Sequence, residues 1–416
     1  MWQWFRPGIG LKRWLGLLFL GLLLIALGVA YWLAEIYRTV PVPTVAYWLT
    51  LQFVNQWVRG LLFVLVGAGV AWWGWQGLSR SVVRTLVPER ADEPVGLAQI
   101  MYERRQAERG RKVIVIGGGT GLIPVVRALI LIDEPIQVTV VLSAAEQGHL
   151  VSLLRDELGL TSRQVIFPVG EHASLWAELA DGRLVEGATA IERLENGVPI
   201  RNLFFSRHIR RIRVWENVEG EPDAALLRNY PPDVNPDAIH AIREAEALIV
   251  APGRLYTDVL PTLILPEIRT AIRMSESRRI FVCNIMTEPY KTDNFTVADH
   301  LRVIRQLAGL EMDYVLVNDA PISHNVMEKY RLEGAQPVRL SQERGEAVSR
   351  LIFADTGETT TLVEGAVVVS APLITEEPQL IPYRANGEIR MRELAIARHD
   401  PHRLAPLLAR ILRDEL

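Results

Sequence analysis

The sequence has almost no cysteine: Cys283 is the one thiol in 416 residues. An intramolecular disulfide framework is thereby excluded, and the chain fits a reducing compartment. A basic excess is missing too. Its 45 Lys and Arg against 48 Asp and Glu leave a formal charge of −3, whereas a dedicated nucleic-acid binder carries a strong positive surplus. No nucleic-acid partner is expected. Internal repeats, low-complexity tracts and a catalytic triad are absent. The eight histidines are scattered, with no pair at metal-ligand spacing, and read as core or surface residues rather than metal ligands. At this length the chain exceeds one typical domain and can bury a large core.

Charge is also absent from two long stretches, Leu15 to Ala34 and Gly60 to Leu78. Each approaches the roughly 20 apolar residues that cross a hydrocarbon core of about 30 Å. Tryptophans and tyrosines gather near their ends (Trp14, Tyr31, Trp32, Trp57, Trp72, Trp73, Trp75), as in interfacial belts. A cleaved signal peptide fits the first stretch less well, because no clear small-residue cleavage site follows it. Arg6, Lys12 and Arg13 precede the first stretch, and Arg80, Arg84 and Arg90 follow the second. The loop between them, with Pro41 and Pro43, carries only Arg38 and Arg59. Positive-inside asymmetry then predicts a multi-pass inner-membrane protein with its N-terminus and C-terminal domain in the cytoplasm. The expected organisation is a membrane anchor over 1–80, a charged juxtamembrane linker over 81–111 and a soluble domain over 112–416.

Lys112-Val-Ile-Val-Ile-Gly-Gly-Gly-Thr-Gly-Leu122 is the richest motif. Four β-prone apolar residues run into a glycine cluster, and a helical pattern (Val125, Val126, Ala128, Leu129) follows, which predicts a buried strand, a tight turn and a helix start. Glycines let the backbone approach a ligand closely, and a helix N-terminus favours an anion, usually a phosphate. The dinucleotide fingerprint fails, because Leu122 stands at the third glycine position and Ser143 where a ribose-binding acid belongs. A phosphate-binding P-loop fails as well, for want of a following Gly-Lys-Ser/Thr.

Beyond this motif, apolar runs alternate with helical patterns, which predicts an α/β, Rossmann-like fold with a mostly parallel sheet covered on both faces. Strands are expected at Val113–Ile116, Val138–Leu142, Ile209–Val214, Ala247–Val250, Ile280–Cys283, Tyr314–Val317 and Gly365–Val369. Helices are expected at Ile123–Leu131, Pro236–Ala245, Leu260–Glu267, Thr296–Leu307 and Arg403–Arg413, with small antiparallel strands between 165 and 205. Ligands bind such sheets beyond the carboxyl ends of the strands. Ala251-Pro-Gly-Arg-Leu-Tyr-Thr-Asp258, Asn284 to Asp293 and Asn318-Asp319 all fall there, and Asn284 has the paired donor and acceptor that read a base edge.

These residues resemble the YvcK/CofD-like family. The resemblance rests on Val115–Leu122, Asn235-Pro236, Ala251–Thr257, Cys283–Thr287, Thr292-Asp293, Gly334–Val338 and His399-Asp400-Pro401, and spans about 112–414. The family includes gluconeogenesis factors, which bind UDP-N-acetylglucosamine and support cell shape, and 2-phospho-L-lactate transferases of deazaflavin cofactor synthesis. It implies that Gly117, Gly118, Gly119, Thr120, Gly121 and Leu122 cradle a diphosphate. Gly253, Leu255, Tyr256 and Thr257 would line the same cleft with Thr292 and Asp293, and Asn284 and Thr287 would meet the nucleotide or its sugar. The family's acidic Asp-Asp-Gly-Gly-Ser-Ser-Gly loop reads Ser143-Ala-Ala-Glu-Gln-Gly148 here. A helical stretch after the second strand is missing, and Tyr290-Lys291-Thr292 replaces a usual Gly-Glu-Thr.

The expectation is therefore a membrane-anchored, nucleotide-sugar-binding regulatory protein linked to the cell wall and carbon metabolism, with a UDP-sugar or other nucleotide and the lipid bilayer as partners. No cofactor is assigned. A transferase using a nucleotide-activated donor is the alternative, with Mg²⁺ held by Glu146, Asp258, Asp293 or Asp319. A membrane scaffold with a vestigial site is the third. Oligomeric state and protein partner stay open.

Overall fold

A computed structural model describes residues 110–415 except 146–148, 171–172, 196, 208–230, 341–347, 353–358 and 386–387, together with isolated positions between 26 and 73. The chain divides into two compact units, Met1–Arg109 and Gly110–Leu416. Most of the two expected spans, nearly all of the expected linker and the expected strand at 209–214 lie outside the described residues. Among the described residues no helix is long and apolar enough to cross a membrane. Trp57, Val58, Leu61, Leu62, Leu65, Val66, Trp72 and Trp73 are helical.

From Gly110 onward the elements, in chain order, begin with β1 (Arg111–Gly117), α1 (Leu122–Leu131), β2 (Ile136–Leu142), α2 (His149–Asp156) and β3 (Val165–Ile166). A small antiparallel layer follows: β4 (Ala173–Leu179), β5 (Leu184–Glu186), α3 (Ala188–Glu192) and β6 (Ile200–Arg207). Next come α4 (Pro236–Glu244), β7 (Ala247–Val250), α5 (Leu260–Leu263), α6 (Pro266–Met274), β8 (Arg278–Val282), α7 (Val297–Ala308), β9 (Tyr314–Asn318) and α8 (His324–Glu333). The chain closes with β10 (Val348–Ile352), β11 (Thr359–Val363), β12 (Ala366–Ala371), the hairpin β13 (Ile374–Ala385) and β14 (Glu388–His399), and α9 (Pro401–Leu412).

Among the described residues nine strands form one sheet in the order β10-β11-β12-β9-β8-β7-β1-β2-β3. From β12 to β3 every pairing is parallel, while β10 and β11 run antiparallel at one edge. The two-residue period of a strand sorts β1 between two cores. Val113 and Val115 pack with Val125 and Leu129 of α1 and Leu404 and Leu408 of α9. Ile114 and Ile116 face Ile242 of α4 and Ile268 and Ile272 of α6. The chain builds outward from β1 through β2 to β3, then returns to β7 on the other side and builds toward β12. The strand order reverses between β1 and β7, and the carboxyl ends of these two strands form the crevice where such sheets bind ligands.

Several sequence motifs turn out to set helix ends. Asn235 caps α4 by accepting from the Asp237 N–H at 2.9 Å, with Pro236 in the first turn. Thr296 and Asp299 form a capping box on α7, and Asp400 caps α9 ahead of Pro401. The expected single helix over 260–267 is a correction. A π-helical turn covers Leu255–Val259, and the chain breaks again between α5 and α6, because Leu265 precedes Pro266 and is extended (φ −62°, ψ 124°). The strand expected from Gly365 starts one residue later, since Gly365 takes φ +89° in the turn.

Three small antiparallel strands do occur between 165 and 207, in the order β5-β4-β6. The hairpin β13–β14, paired over twelve residues of each strand, has no counterpart in the sequence reading. Pro378, Pro382 and frequent charge break its alternation. A two-stranded ribbon tolerates this, because each strand has a free edge where a proline need not donate.

Candidate functional site

The crevice between β1 and β7 is closed by glycines that have no room for a side chain. A Cβ on Gly121 would lie 2.2 Å from the Pro252 carbonyl oxygen, and one on Gly118 would lie 2.8 Å from the Ser143 Cβ. Gly119 has φ +63°, and a Cβ there would lie 2.5 Å from Asp258 Oδ2. The Asp258 carboxylate accepts from the Arg254 N–H at 2.9 Å and lies against Gly118 and Gly119. A phosphate would meet a like charge there. The part of the loop open to an anion is therefore Thr120 and Gly121, on its other side. Gly121 begins α1 with no side-chain cap, which leaves first-turn N–H groups for a ligand oxygen.

Thr120, Gly121, Gly253 and Asn284 share one cavity of about 310 Å³. Asn284 holds the β7 loop: its Oδ1 accepts from the Gly253 N–H at 3.1 Å and its Nδ2 donates to the Gly253 carbonyl at 2.7 Å. The amide edge expected to read a base is thus engaged by backbone, and Asn284 shapes the cavity wall.

The other expected residues do not line this cavity. Leu122 and Leu255 are core, and Tyr256 is buried beside them, its hydroxyl pushed up to about 12 by burial and by Glu288. The Thr257 carbonyl receives the Ser143 hydroxyl at 2.9 Å. Thr287 clasps Gln336 through its N–H and Oγ1, Thr292 Oγ1 accepts from the Glu288 N–H at 2.7 Å, and Asp293 accepts from the Tyr290 N–H at 2.9 Å. These side chains fold the β7 and β8 loops.

Of the opposite wall, the sequence singles out His399 alone, as part of the His399-Asp400-Pro401 motif and with no ligand role. Lys329 and Tyr330 of α8 and Arg398 and His399 at the end of β14 complete the cavity. Lys329 Nζ lies 4.8 Å from the Tyr330 ring centroid and 3.7 Å from Glu333 Oε1. Arg398 Nε lies 3.2 Å from Glu377 Oε2. His399 is 3% exposed, and its Nε2 has no hydrogen-bond partner among the described residues. The His399-Asp400-Pro401 motif signalled that this segment has a fixed place, and nothing in the sequence signalled Lys329, Tyr330 or Arg398.

A charged cluster borders the crevice. Arg254 pairs with Glu192 of α3 at 2.8 Å, and Lys291 donates to the Glu192 carbonyl at 2.7 Å. Glu288 lies 3.8 Å from Lys291 Nζ, its side chain 17% exposed. Burial raises its carboxyl to about 7, against the pull of Lys291 and Arg254. The expected Mg²⁺ ligands do not converge: among the described residues no three His, Cys, Asp or Glu side chains are placed to hold a metal ion. Asp258 lies at the glycine loop, Asp293 closes its own turn, and Asp319 lines a separate cavity of about 430 Å³ beyond β9. Glu146 lies outside the described residues. The described members of this set, Asp258, Asp293 and Asp319, do not form a site for the cation of the transferase alternative.

Comparison with known proteins agrees with this fold. A family model described as 2-phospho-L-lactate transferase CofD matches residues 160–356. A gluconeogenesis factor of Halalkalibacterium halodurans is 30% identical over 281 residues, 57% of this chain and 87% of that protein. A Nostoc sp. protein that carries the same name provisionally is 29% identical over 402 residues, 84% of this chain and 85% of the other. The crystal structure of a Bacillus halodurans protein covers 72% of this chain and 99% of that one, with a TM-score of 0.50 at 22% identity. That likeness is one of fold.

Proposed function

The chain belongs to the YvcK/CofD-like family of gluconeogenesis factors, and on that premise we propose that its cleft binds a nucleotide-sugar of the UDP-N-acetylglucosamine kind as a regulatory ligand. The observation that carries this reading is the cavity beside Gly121. One wall offers the uncapped N-terminus of α1, the other the cations Lys329 and Arg398 and the aromatic Tyr330. Such a cleft suits a diphosphate that carries neutral, hydroxyl-rich ends. A transferase needs cations to neutralise charge developing on the transferred group, and the described carboxylates do not converge on a place for one.

The reading extends to a membrane anchor that holds the cleft at the inner face, where it would report cell-wall precursor levels. Its support is the uncharged stretches at 15–34 and 60–78. Within the second region Leu61, Leu65 and Trp73 are helical and 62%, 64% and 81% exposed, as side chains facing lipid would be.

Differential scanning fluorimetry of the full chain in detergent micelles tests the ligand. UDP-N-acetylglucosamine at about 100 times its Kd is expected to add roughly 2.7 kcal/mol without Mg²⁺. A shift with GTP that requires Mg²⁺ would turn the reading to the transferase. No shift with UDP-N-acetylglucosamine, UDP-glucose, GTP or NAD would contradict both and leave the scaffold.

A further inference from the structure

We propose that the second cavity, beyond β9, is a binding site for a small zwitterion with an apolar side chain, of the aliphatic α-amino acid class. Its volume of about 430 Å³ exceeds that of the cavity beside Gly121, and the two linings share only Ile285 among the described residues. Three segments build it: the loop 318–322 after β9, Met327 of α8, and the run 337–340 that follows α8. Hydrogen bonds fix each wall. Asn318 accepts from the Leu373 N–H at 2.9 Å and donates to the Ala320 carbonyl at 2.9 Å. Ser323 caps α8 by accepting from the Val326 N–H. The Val338 N–H donates to the Ile285 carbonyl at 2.9 Å, and the Val297 N–H donates to the Arg339 carbonyl at 3.0 Å.

The lining sorts occupants by charge. Ile285, Ile322, Met327 and Leu340 line the cavity and are only half-buried, so apolar surface stays uncovered. Asp319 and Arg339 line it too. Both are exposed, and among the described residues neither side chain has a hydrogen bond or ion pair. A simple anion would suit Arg339 but meet the like charge of Asp319, and a simple cation would face the reverse. A metal ion would find a single carboxylate, since no other Asp, Glu, His or Cys stands in the described lining. A wholly apolar molecule would cover both charges and pair neither, which opposes its binding. An ammonium at Asp319, a carboxylate at Arg339 and an aliphatic side chain against Ile285 and Met327 leave nothing unmatched.

The test is a ligand-observed NMR titration of the full chain in detergent micelles, run without nucleotide and against empty micelles. L-Leucine is expected to saturate with a Kd on the order of 1 mM or tighter, as a ligand of this size allows. Isocaproate, which lacks the ammonium, and isopentylamine, which lacks the carboxylate, are each expected to bind about tenfold more weakly to wild type. Asp319→Asn is expected to weaken leucine about tenfold and to strengthen isocaproate, because Arg339 is then unopposed. Arg339→Gln is expected to weaken leucine as much and to strengthen isopentylamine. Both positions are exposed, and a general loss of structure would not produce this crossed preference. Leucine that does not saturate overturns the proposal, as does isocaproate that binds wild type as tightly as leucine. Leucine affinity unchanged by both substitutions overturns it too. UDP-N-acetylglucosamine enters none of these measurements, so the nucleotide-sugar reading stands or falls apart from them.

Discussion

Gly121→Val is expected to abolish ligand binding and to destabilise the fold by about 3 kcal/mol. The added Cβ would fall 2.2 Å from the Pro252 oxygen and 2.9 Å from its carbonyl carbon. These are backbone atoms, and no rotamer change relieves the contact. Nor is the facing loop free to retreat, because both hydrogen bonds of Asn284 clamp Gly253 and Ala251 is bonded to the Ile116 carbonyl at 2.9 Å. The strain must therefore part the two loops at the point where the strand order reverses, which moves the first turn of α1 out of the cavity wall. Urea denaturation with calorimetric titration measures both effects. Gly159→Ala is the control: unlike Gly121 (φ −68°) it has positive φ (+67°), but nothing lies within 4 Å of its Cβ position, so it is expected to lose about 1 kcal/mol to backbone strain and to bind normally. If Gly121→Val abolishes binding yet leaves in-cell function intact, the cleft is vestigial and the chain acts as a scaffold.

Glu288→Gln is expected to change how stability depends on pH. The Glu288 carboxyl is raised from 4.5 to about 7, so the folded chain takes up this proton more readily than the unfolded chain. Its contribution is complete below 4.5 and is lost as pH rises to about 7. His399 does the reverse. Its imidazole is lowered from 6.5 to about 4, so the unfolded chain binds the proton first, and stability falls as pH drops from 6.5 toward 4. Each shift corresponds to about 3 kcal/mol at roughly 1.4 kcal/mol per pH unit. The two contributions largely offset one another in wild type, with His300 adding in the same direction as His399. Replacing Glu288 removes one side of that balance. Denaturation at pH 5, 6 and 7 is expected to give a variant that gains stability with pH by about 2 kcal/mol more than wild type does. Parallel curves for the two proteins would show that Glu288 is not held protonated by its surroundings.

The sheet was legible because burial on both faces leaves a plain record in sequence. Ala247–Val250 is four residues of continuous core and was bounded correctly from composition alone. The glycines of 117–121 likewise identified the turn, since backbone and the Asp258 carboxylate approach closer than a Cβ permits. Function was harder to assign residue by residue. Thr287, Thr292 and Asp293 have the chemistry of ligand contacts, yet Asn, Thr and Asp also close turns by bonding nearby backbone, and the structure gives them that task. The far wall of the cavity was not legible. Lys329 and Arg398 are separated by 69 positions in sequence, and only the packing of α8 against the base of β14 brings them together at one cavity. No local spacing encodes such an encounter.

The most direct test of the nucleotide-sugar site is hydrogen–deuterium exchange of the full chain with and without saturating UDP-N-acetylglucosamine. The account predicts slowed exchange in two segments far apart in sequence, 119–123 and 252–254, with further protection at the start of the β14–α9 junction. Protection confined to the separate cavity around Asn318 and Arg339, or none at all, would contradict it.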